Sequence, residues 1–409
     1  MALFRRIGWT VGDQALSSAT NFALGLVLVR SVPTESFGIF TLTFASYLVM
    51  LGITRAITSE PLLIRFANVD KGLQADAARS VTGVGLVVGA FGALVFISGS
   101  LIFMQGTPQW AFVILGLSLP GLLLQDTWRY VFFTQGRPFQ AFLNDLIWAV
   151  GLLLLLVLEI VLDVISTPTA LLAWGAAGGV AGAFGLVQAR LVPRVRSARE
   201  WWRRQADLAP RFLGEFGAII ASSQAALFVI GAIAGLAAVG EIRAGQLLLN
   251  PLNVLFFSAG PIAIPVLARL ASRPSGGELY RATISGALGL GVLAMIWGGV
   301  LLAAPDAAGH FILGDAWSAA RPLLLPLTLW MVGAGFTLGI MLGLRAVAAA
   351  RESFRARLLS SPLAAIGGAV GAKVDGGRGA AWGLALASLG QATVWLFHLK
   401  TVSPRGDSE

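Results

Sequence analysis

The chain carries one short motif twice, and this repeat decides how the fold is interpreted. The two copies are Pro61-Leu62-Leu63-Ile64-Arg65-Phe66-Ala67 and, 204 positions later, Pro265-Val266-Leu267-Ala268-Arg269-Leu270-Ala271. Pro, Leu, Arg and Ala recur in the same places. At a shift of 202 positions, Gly12-Asp13 falls on Gly214-Glu215 and Arg79 falls on Arg281. These matches predict that the chain consists of two related halves.

Long apolar segments surround both copies of the motif. Hydrophobic residues make up 56% of the 409 residues and charged residues only 12%, against about 25% charged in a typical soluble domain. This composition excludes a sizeable soluble domain and predicts an all-α polytopic membrane protein. We place twelve transmembrane helices, at residues 8–30, 37–58, 80–104, 109–133, 139–162, 169–190, 212–236, 243–268, 281–304, 321–344, 357–374 and 380–399.

Twelve spans and one duplication give six helices in each half. Because six is even, both halves start on the same side of the membrane, and their symmetry axis runs along the membrane normal. We therefore expect two pseudo-symmetric six-helix lobes around a central cleft. The predicted domains are an N-terminal lobe at residues 1–190, a linker at 191–210 and a C-terminal lobe at 211–409.

The distribution of positive charge predicts the orientation. The net charge is +9, and with a cytoplasmic N-terminus 24 of the 29 Lys and Arg residues fall on the inner side of the membrane. This distribution follows the positive-inside bias and places both termini in the cytoplasm. It also argues against a nucleic-acid partner. Asp13 and Asn21 interrupt the first apolar run, so we expect a retained helix there and not a cleavable signal.

The predicted linker is strongly basic. Seven arginines lie between residues 190 and 211, together with Trp201 and Trp202. This pattern is typical of a cytoplasmic interfacial helix that contacts anionic membrane lipids. A solvated tether that only enforces the topology is the alternative.

Side chains for catalysis or metal binding are scarce. There is no Cys, and the two histidines are His310, in an outer connection, and His398, at the end of the last helix. The longest outer connection offers only Asp306, His310 and Asp315 to a substrate. We therefore expect no catalytic residue, no metal site and no cofactor, and predict that the protein is not an enzyme.

Six ionisable residues lie inside the predicted spans, roughly 5–10 Å from their inner ends as judged from the helical rise. A charge costs about 2.5 kcal/mol or more near the middle of a bilayer, so each residue is a candidate for function. Together they predict a polar vestibule at the cytoplasmic mouth of the first lobe. The set comprises two arginines, Arg55 and Arg129, and four acids, Asp13, Asp126, Asp145 and Glu215.

Two interpretations of the vestibule are open. In the functional one, Arg55 and Arg129 bind a phosphate or diphosphate. The acids are then ion-coupling residues, with a buried Asp13 or Asp145 taking up and releasing a proton or cation. In the structural one, Asp126 pairs with Arg129 on the same helix face and Arg55 extends to the headgroups.

Arg30 lies near the outer end of the first span. It either faces the cleft, where it contacts substrate, or extends to the outer headgroups.

Two stretches carry a family resemblance. They are Phe22-Ala23-Leu24-Gly25-Leu26-Val27-Leu28-Val29-Arg30-Ser31-Val32-Pro33-Thr34-Glu35-Ser36-Phe37-Gly38-Ile39-Phe40 and Phe311-Ile312-Leu313-Gly314-Asp315-Ala316-Trp317-Ser318-Ala319-Ala320-Arg321-Pro322-Leu323-Leu324-Leu325. The first resembles the first helix hairpin of bacterial polysaccharide and O-antigen flippases. The second resembles that family's outer loop and the start of its tenth helix. These flippases belong to the multidrug/oligosaccharidyl-lipid/polysaccharide exporter superfamily.

The resemblance implies a function and a location. It implies an alternating-access transporter of the bacterial cytoplasmic membrane that flips a polyprenyl-diphosphate-linked oligosaccharide for polysaccharide biosynthesis. The sugars and the diphosphate would cross through the polar cleft while the lipid tail stays in the bilayer. We expect a monomer. The alternative in the same superfamily is a cation-coupled multidrug antiporter, in which an acidic residue of the first helix, here Asp13, takes part in coupling.

Overall fold

The structure is a computed structural model that describes residues 2–217, 222–271, 276–347 and 349–402. In these ranges the regular secondary structure is entirely helical, which confirms the predicted all-α class. The helices are α1 (Ala2–Ser31), α2 (Thr34–Ile57), α3 (Ser59–Phe66), α4 (Lys71–Phe103), α5 (Gly106–Thr134), α6 (Pro138–Val161), α7 (Thr167–Ala189), α8 (Ala198–Arg204), α9 (Ala209–Phe216), α10 (Ser222–Ala271), α11 (Gly276–Ala303), α12 (Asp306–Leu313), α13 (Ala316–Ala320), α14 (Leu324–Ala346) and α15 (Ala350–Val402).

Nine helical stretches of the described ranges are long and apolar enough to cross a bilayer. The protein is thus a multi-pass membrane protein. Two stretches contain a break: α10 at Gly235, with φ 87° and ψ 171°, and α15 at Asp375 and Gly376, with φ 49° at Gly376. Positive φ values favour glycine, and each break lies at or beside a predicted turn between spans. The polar first helix, α1, is not among the nine. The count of twelve spans stays a prediction.

Contacts divide the chain into two compact units, Met1–Ile220 and Ala221–Glu409. The first unit contains α1 to α9 and has a core around α5. Trp128 and Phe132 of α5 are fully buried there against Val81 of α4, Leu62 of α3 and Trp201 of α8. These contacts hold α5 between its neighbours and thereby fix which of its faces carries polar groups.

The segment predicted as a linker packs on the first unit. The backbone N–H of Arg194 donates to the carbonyl of Arg79 at 2.7 Å. The indole of Trp201 is buried and donates to the carbonyl of Ile57 at 2.9 Å, whereas Trp202 is exposed. One of the two indoles expected in the headgroup layer therefore lies inside protein, because it closes the end of α2. Lipid contact by the remaining basic face stays a prediction.

Glycines bring α5 and α7 into backbone contact. A Cβ atom on Gly121 would lie 2.7 Å from the Cα of Gly179, and one on Gly182 would lie 2.7 Å from the carbonyl oxygen of Gly121. Small residues permit such close approach between membrane helices. Trp128 completes the contact by donating from its indole to the carbonyl of Gly182 at 3.1 Å.

The second unit contains α10 to α15, and its final helix folds back on itself. On either side of the break in α15, a Cβ atom on any of four glycines would collide with the backbone of the opposite segment. The two segments therefore touch backbone to backbone. The four glycines are Gly367, Gly371, Gly379 and Gly383.

The connection at residues 305–320 folds into α12 and α13 around one carboxylate. The Trp317 indole donates to Asp306 at 2.8 Å, and Arg321 also pairs with Asp306. The Trp317 hydrogen bond is the main cause that lowers the pKa of Asp306 below its ordinary value, and Arg321 contributes. His398, near the end of α15, is buried and contacts the carboxylate of Glu352 at 2.9 Å. Within the residues that the structure describes, neither the contacts of Asp306 nor the pair of His398 and Glu352 brings together the three or more His, Cys, Asp or Glu side chains of a metal site.

The α5–α7 contact predicts a difference between two glycines one turn apart. Gly182→Ala should reduce stability by about 1–3 kcal/mol, because the added methyl group meets backbone that cannot move away. Gly179→Ala is the matched control: a Cβ there meets nothing within 4 Å, so stability should stay constant or rise slightly. Thermal unfolding of both variants in detergent measures the difference, and equal melting temperatures would contradict the contact.

Candidate functional site

Five charged side chains of the first unit meet at one end of four helices. Asp13 comes from α1, Arg55 from α2, Asp126 and Arg129 from α5, and Asp145 from α6. Arg55 and Arg129 lie near the ends of their helices, whereas Asp145 lies near the start of α6. Because successive helices run in opposite directions, these ends coincide. We call these five residues the charged cluster.

Arg129 is the centre of the cluster and contacts all three carboxylates. Its Nη2 donates to Oδ2 of Asp145, its Nε lies 3.3 Å from Oδ2 of Asp13, and its Nη1 lies 3.6 Å from Oδ1 of Asp126. The arginine side chain is only 8% exposed, and the three carboxylates are 0–3% exposed. Arg129 thus pairs with one carboxylate on its own helix, Asp126, and with two on neighbouring helices, Asp13 and Asp145.

Arg55 forms the second arm of the cluster. Its Nε and Nη2 donate to the two carboxylate oxygens of Asp126 at 2.9 and 2.6 Å, a forked arrangement that fixes both side chains. The guanidinium also lies 5.3 Å from the ring centre of Tyr130, within the range of a cation–π contact. The Arg55 side chain is 32% exposed, which makes it the accessible arginine of the pair.

Two uncharged side chains next to the cluster form hydrogen bonds that fix the position of Asp145. Gln125 donates to Oδ1 of Asp145 at 2.6 Å. The next residue back on α6, Asn144, donates to the carbonyl of Ala181 on α7 at 2.9 Å. These bonds fix the first turns of α6 against α5 and α7. The carboxylate of Asp145 is thereby aimed at Arg129.

The cluster has more negative than positive charge. With all three carboxylates ionised, the five side chains carry a formal charge of −1, and four of them are nearly inaccessible. One carboxylate oxygen, Oδ1 of Asp13, is buried and accepts no hydrogen bond in the described part of the chain. A buried acceptor and a surplus negative charge are satisfied by one proton or one monovalent cation. Among the described residues no group of three or more His, Cys, Asp or Glu has the arrangement of a metal site.

The two remaining candidates, Glu215 and Arg30, are not among the side chains that pair in the charged cluster. Glu215 lies on α9 and is exposed. Arg30 is exposed near the other end of α1, about 25 Å along the helix from Asp13. The pair expected within α5, Asp126 with Arg129, exists at 3.6 Å, but each partner has a closer contact on another helix.

Two members of the site were missed by the sequence analysis, Gln125 and Tyr130. Both belong to the run Gln125-Asp126-Thr127-Trp128-Arg129-Tyr130, which interrupts an otherwise apolar helix. Gln125 is four residues from Arg129 and therefore on the same helix face. The spacing of this run was the signal that could have identified it.

No protein-family model and no curated protein matches the chain by sequence. Solved structures do match over nearly its whole length. An inward-facing multidrug resistance MATE family transporter has a TM-score of 0.72 at 14% identity, over 96% of this chain and 99% of that one. The lipid II flippase MurJ in an inward closed conformation has a TM-score of 0.70 at 13% identity, over 96% and 87%. A transporter of the MOP superfamily from Pyrococcus furiosus has a TM-score of 0.62 at 14% identity, over 98% and 95%.

The chain has the fold of MOP-superfamily transporters. At 13–14% identity these similarities show the fold and do not identify a substrate. The neighbours are transporters rather than enzymes.

The cluster predicts a large cost for removing its central arginine. Arg129→Met leaves three buried carboxylates without their shared partner and should reduce stability by about 3–5 kcal/mol. Adding Asp145→Asn should restore part of the loss, because one uncompensated charge disappears. Thermal unfolding in detergent at neutral pH is the measurement.

Arg79→Met is the matched control for this experiment. Arg79 pairs with Asp76 at 3.1 Å, but both side chains are substantially exposed, so the change should cost at most about 1 kcal/mol. If Arg129→Met were as mild as this control, the cluster would not be a coupled unit.

Proposed function

We propose that the chain is an alternating-access transporter that flips a lipid-linked oligosaccharide across the bacterial cytoplasmic membrane for polysaccharide biosynthesis. The headgroup, a sugar joined to polyprenol through a diphosphate, enters from the inner leaflet while its tail stays in lipid. A proton or cation taken up by the charged cluster drives the cycle. Both termini lie in the cytoplasm.

The observation that carries this proposal is the charged cluster. Five ionisable side chains, four of them nearly inaccessible, lie among membrane helices, where each charge has a large desolvation cost. The unpartnered oxygen of Asp13 is a suitable site for a coupling proton or cation. Uptake at this oxygen would neutralise the surplus charge and weaken the hold on Arg129.

The two arginines have different roles in this mechanism. Arg129 is enclosed by carboxylates and organises the acids. Arg55 is accessible, and in the described ranges its one carboxylate partner is Asp126. A diphosphate oxygen can therefore replace that carboxylate. Arg30, at the other end of α1, would contact the headgroup late in the cycle.

Fold similarity and the sequence resemblance support transport of this kind. MATE structures with this fold include inward-facing and outward-facing conformations, and one neighbour is a flippase for lipid II. The stretches at 22–40 and 311–325 resemble polysaccharide and O-antigen flippases. Transport by alternating access needs no covalent step and no cofactor.

Cation-coupled multidrug antiport is the second candidate. It is favoured by the acid excess of the cluster and by the MATE structures, which match with a TM-score of up to 0.72. The two candidates share the coupling site and differ in the cargo.

The cargo is tested in proteoliposomes that contain a fluorescent polyprenyl-diphosphate sugar. Arg55→Gln should slow flipping about tenfold or more, because a charge-assisted contact to the diphosphate is lost. Arg55→Lys should retain part of the rate, and Arg79→Gln, at an exposed pair, should have no effect. Wild-type protein that moves a cationic dye under an ion gradient, but no lipid-linked sugar, would establish the antiporter instead.

Coupling is tested with the same vesicles under proton or sodium gradients. Asp13→Asn keeps the shape of the side chain but removes the site for the ion, so the transport rate should no longer respond to the gradient. Asp76→Asn, at an exposed acid of the same unit, should respond as the wild type does. An unchanged gradient response in Asp13→Asn would exclude this residue from coupling.

A further inference from the structure

A cavity of about 560 Å³ lies between the start of α6 and the end of α7, and none of its lining residues belongs to the charged cluster. Its polar side is formed by Arg137, Gln140, Gln188 and Arg190. Its apolar side includes Leu143 and Phe184. All of these residues belong to the first unit, at the end of the helices that the charge distribution predicts to be cytoplasmic.

The two arginines of the cavity have no carboxylate partner among the described residues. The guanidinium of Arg137 contacts the side-chain oxygen of Gln135 at 3.4 Å and lies 5.7 Å from the ring centre of Phe132. Arg190 ends α7 in a left-handed conformation with φ 53°. Other arginines near this end, for example Arg65 and Arg194, form ion pairs with aspartates. Two unneutralised guanidiniums beside one cavity favour an anionic ligand.

The backbone adds positive potential at the same place. Arg137 is the residue before α6, and its side chain does not cap the helix. Pro138, the first residue of this 24-residue helix, has no N–H, and the amide of Gln140 donates to the carbonyl of Arg137 at 2.9 Å. The contribution of the backbone is therefore the positive potential of the helix N-terminus and not a set of free amides.

The floor of the cavity is rigid. Gln188 donates to the carbonyl of Gln140 at 2.9 Å and accepts from Asn144 at 3.2 Å. These bonds tie α6 to α7 beside the cavity.

We propose that this cavity binds the phosphodiester headgroup of an anionic phospholipid from the inner leaflet. The guanidiniums and the start of α6 match the phosphate, while Leu143, Phe184 and the exposed Val187 match the acyl chain. A free phosphate would leave this apolar wall unused. The proposal does not depend on the transported cargo, because it concerns a separate site.

The test measures lipid binding to the purified full-length protein by native mass spectrometry in detergent. Phosphatidylglycerol is titrated against phosphatidylcholine, with no transport substrate present. In the variant Arg137→Gln/Arg190→Asn, affinity for phosphatidylglycerol should fall about tenfold or more. Asn at 190 removes the guanidinium while it tolerates the left-handed backbone.

Arg199→Gln/Arg203→Gln is the matched control. It removes two exposed arginines of α8 that do not line the cavity, so affinity should remain within about twofold of the wild type. If the double variant does not fold, the single variant Arg137→Gln, at an exposed residue just before α6, provides a second measurement.

Three results would overturn the proposal. Equal losses in the cavity variant and the control would indicate general surface attraction. Displacement of phosphatidylglycerol by millimolar inorganic phosphate would indicate a site for free anions. Preferential binding of polyprenyl diphosphate over phosphatidylglycerol would make the cavity an entry site for cargo.

Discussion

Arg129 determines how the first unit can be assembled. A guanidinium at 8% exposure is tolerated only because three carboxylates surround it, and those carboxylates are tolerated only because the arginine is there. The acids come from α1, α5 and α6, so the interaction fixes three helices at once. Arg55 adds α2 through its forked contact with Asp126. The helices that position the site are therefore also held together by it.

Packing of small residues makes this arrangement possible. The backbone contact between α5 and α7, at Gly121 and Gly182, brings the helices closer than larger side chains would permit. The indole of Trp128 then bonds to α7 and fixes the rotation of α5. The next residue along, Arg129, is directed at the acids as a consequence. A purely apolar feature of the sequence thus controls the geometry of its most polar site.

Much of the fold was accessible from the sequence, because apolar length and turn residues are local properties. The predicted spans 109–133, 139–162 and 169–190 lie within three residues of the ends of α5, α6 and α7. Asp126, Arg129 and Asp145 lie near the facing ends of α5 and α6, whereas their depth in the membrane, judged from helical rise, stays a prediction.

The ion-pair partners of these side chains were less predictable, because they depend on the rotation and separation of the helices. Arg55 and Asp126 are 71 residues apart in sequence, so no local spacing predicts their contact. The spacing of Asp126 and Arg129 predicted a local pair, but the preferred contacts lie on other helices. Glu215 was grouped with the acids by depth, whereas the exposed surface of α9 carries it. The cavity between α6 and α7 has no signature in the sequence, because it is a space between helices.

The glycine contact inside α15 limits how the second unit can change shape. Its two segments meet backbone to backbone at Gly367, Gly371, Gly379 and Gly383, where no side chain separates them. Sliding or spreading would open an empty slot that neither lipid tails nor water could fill well. Around these glycines we therefore expect the two segments to move together, as one body.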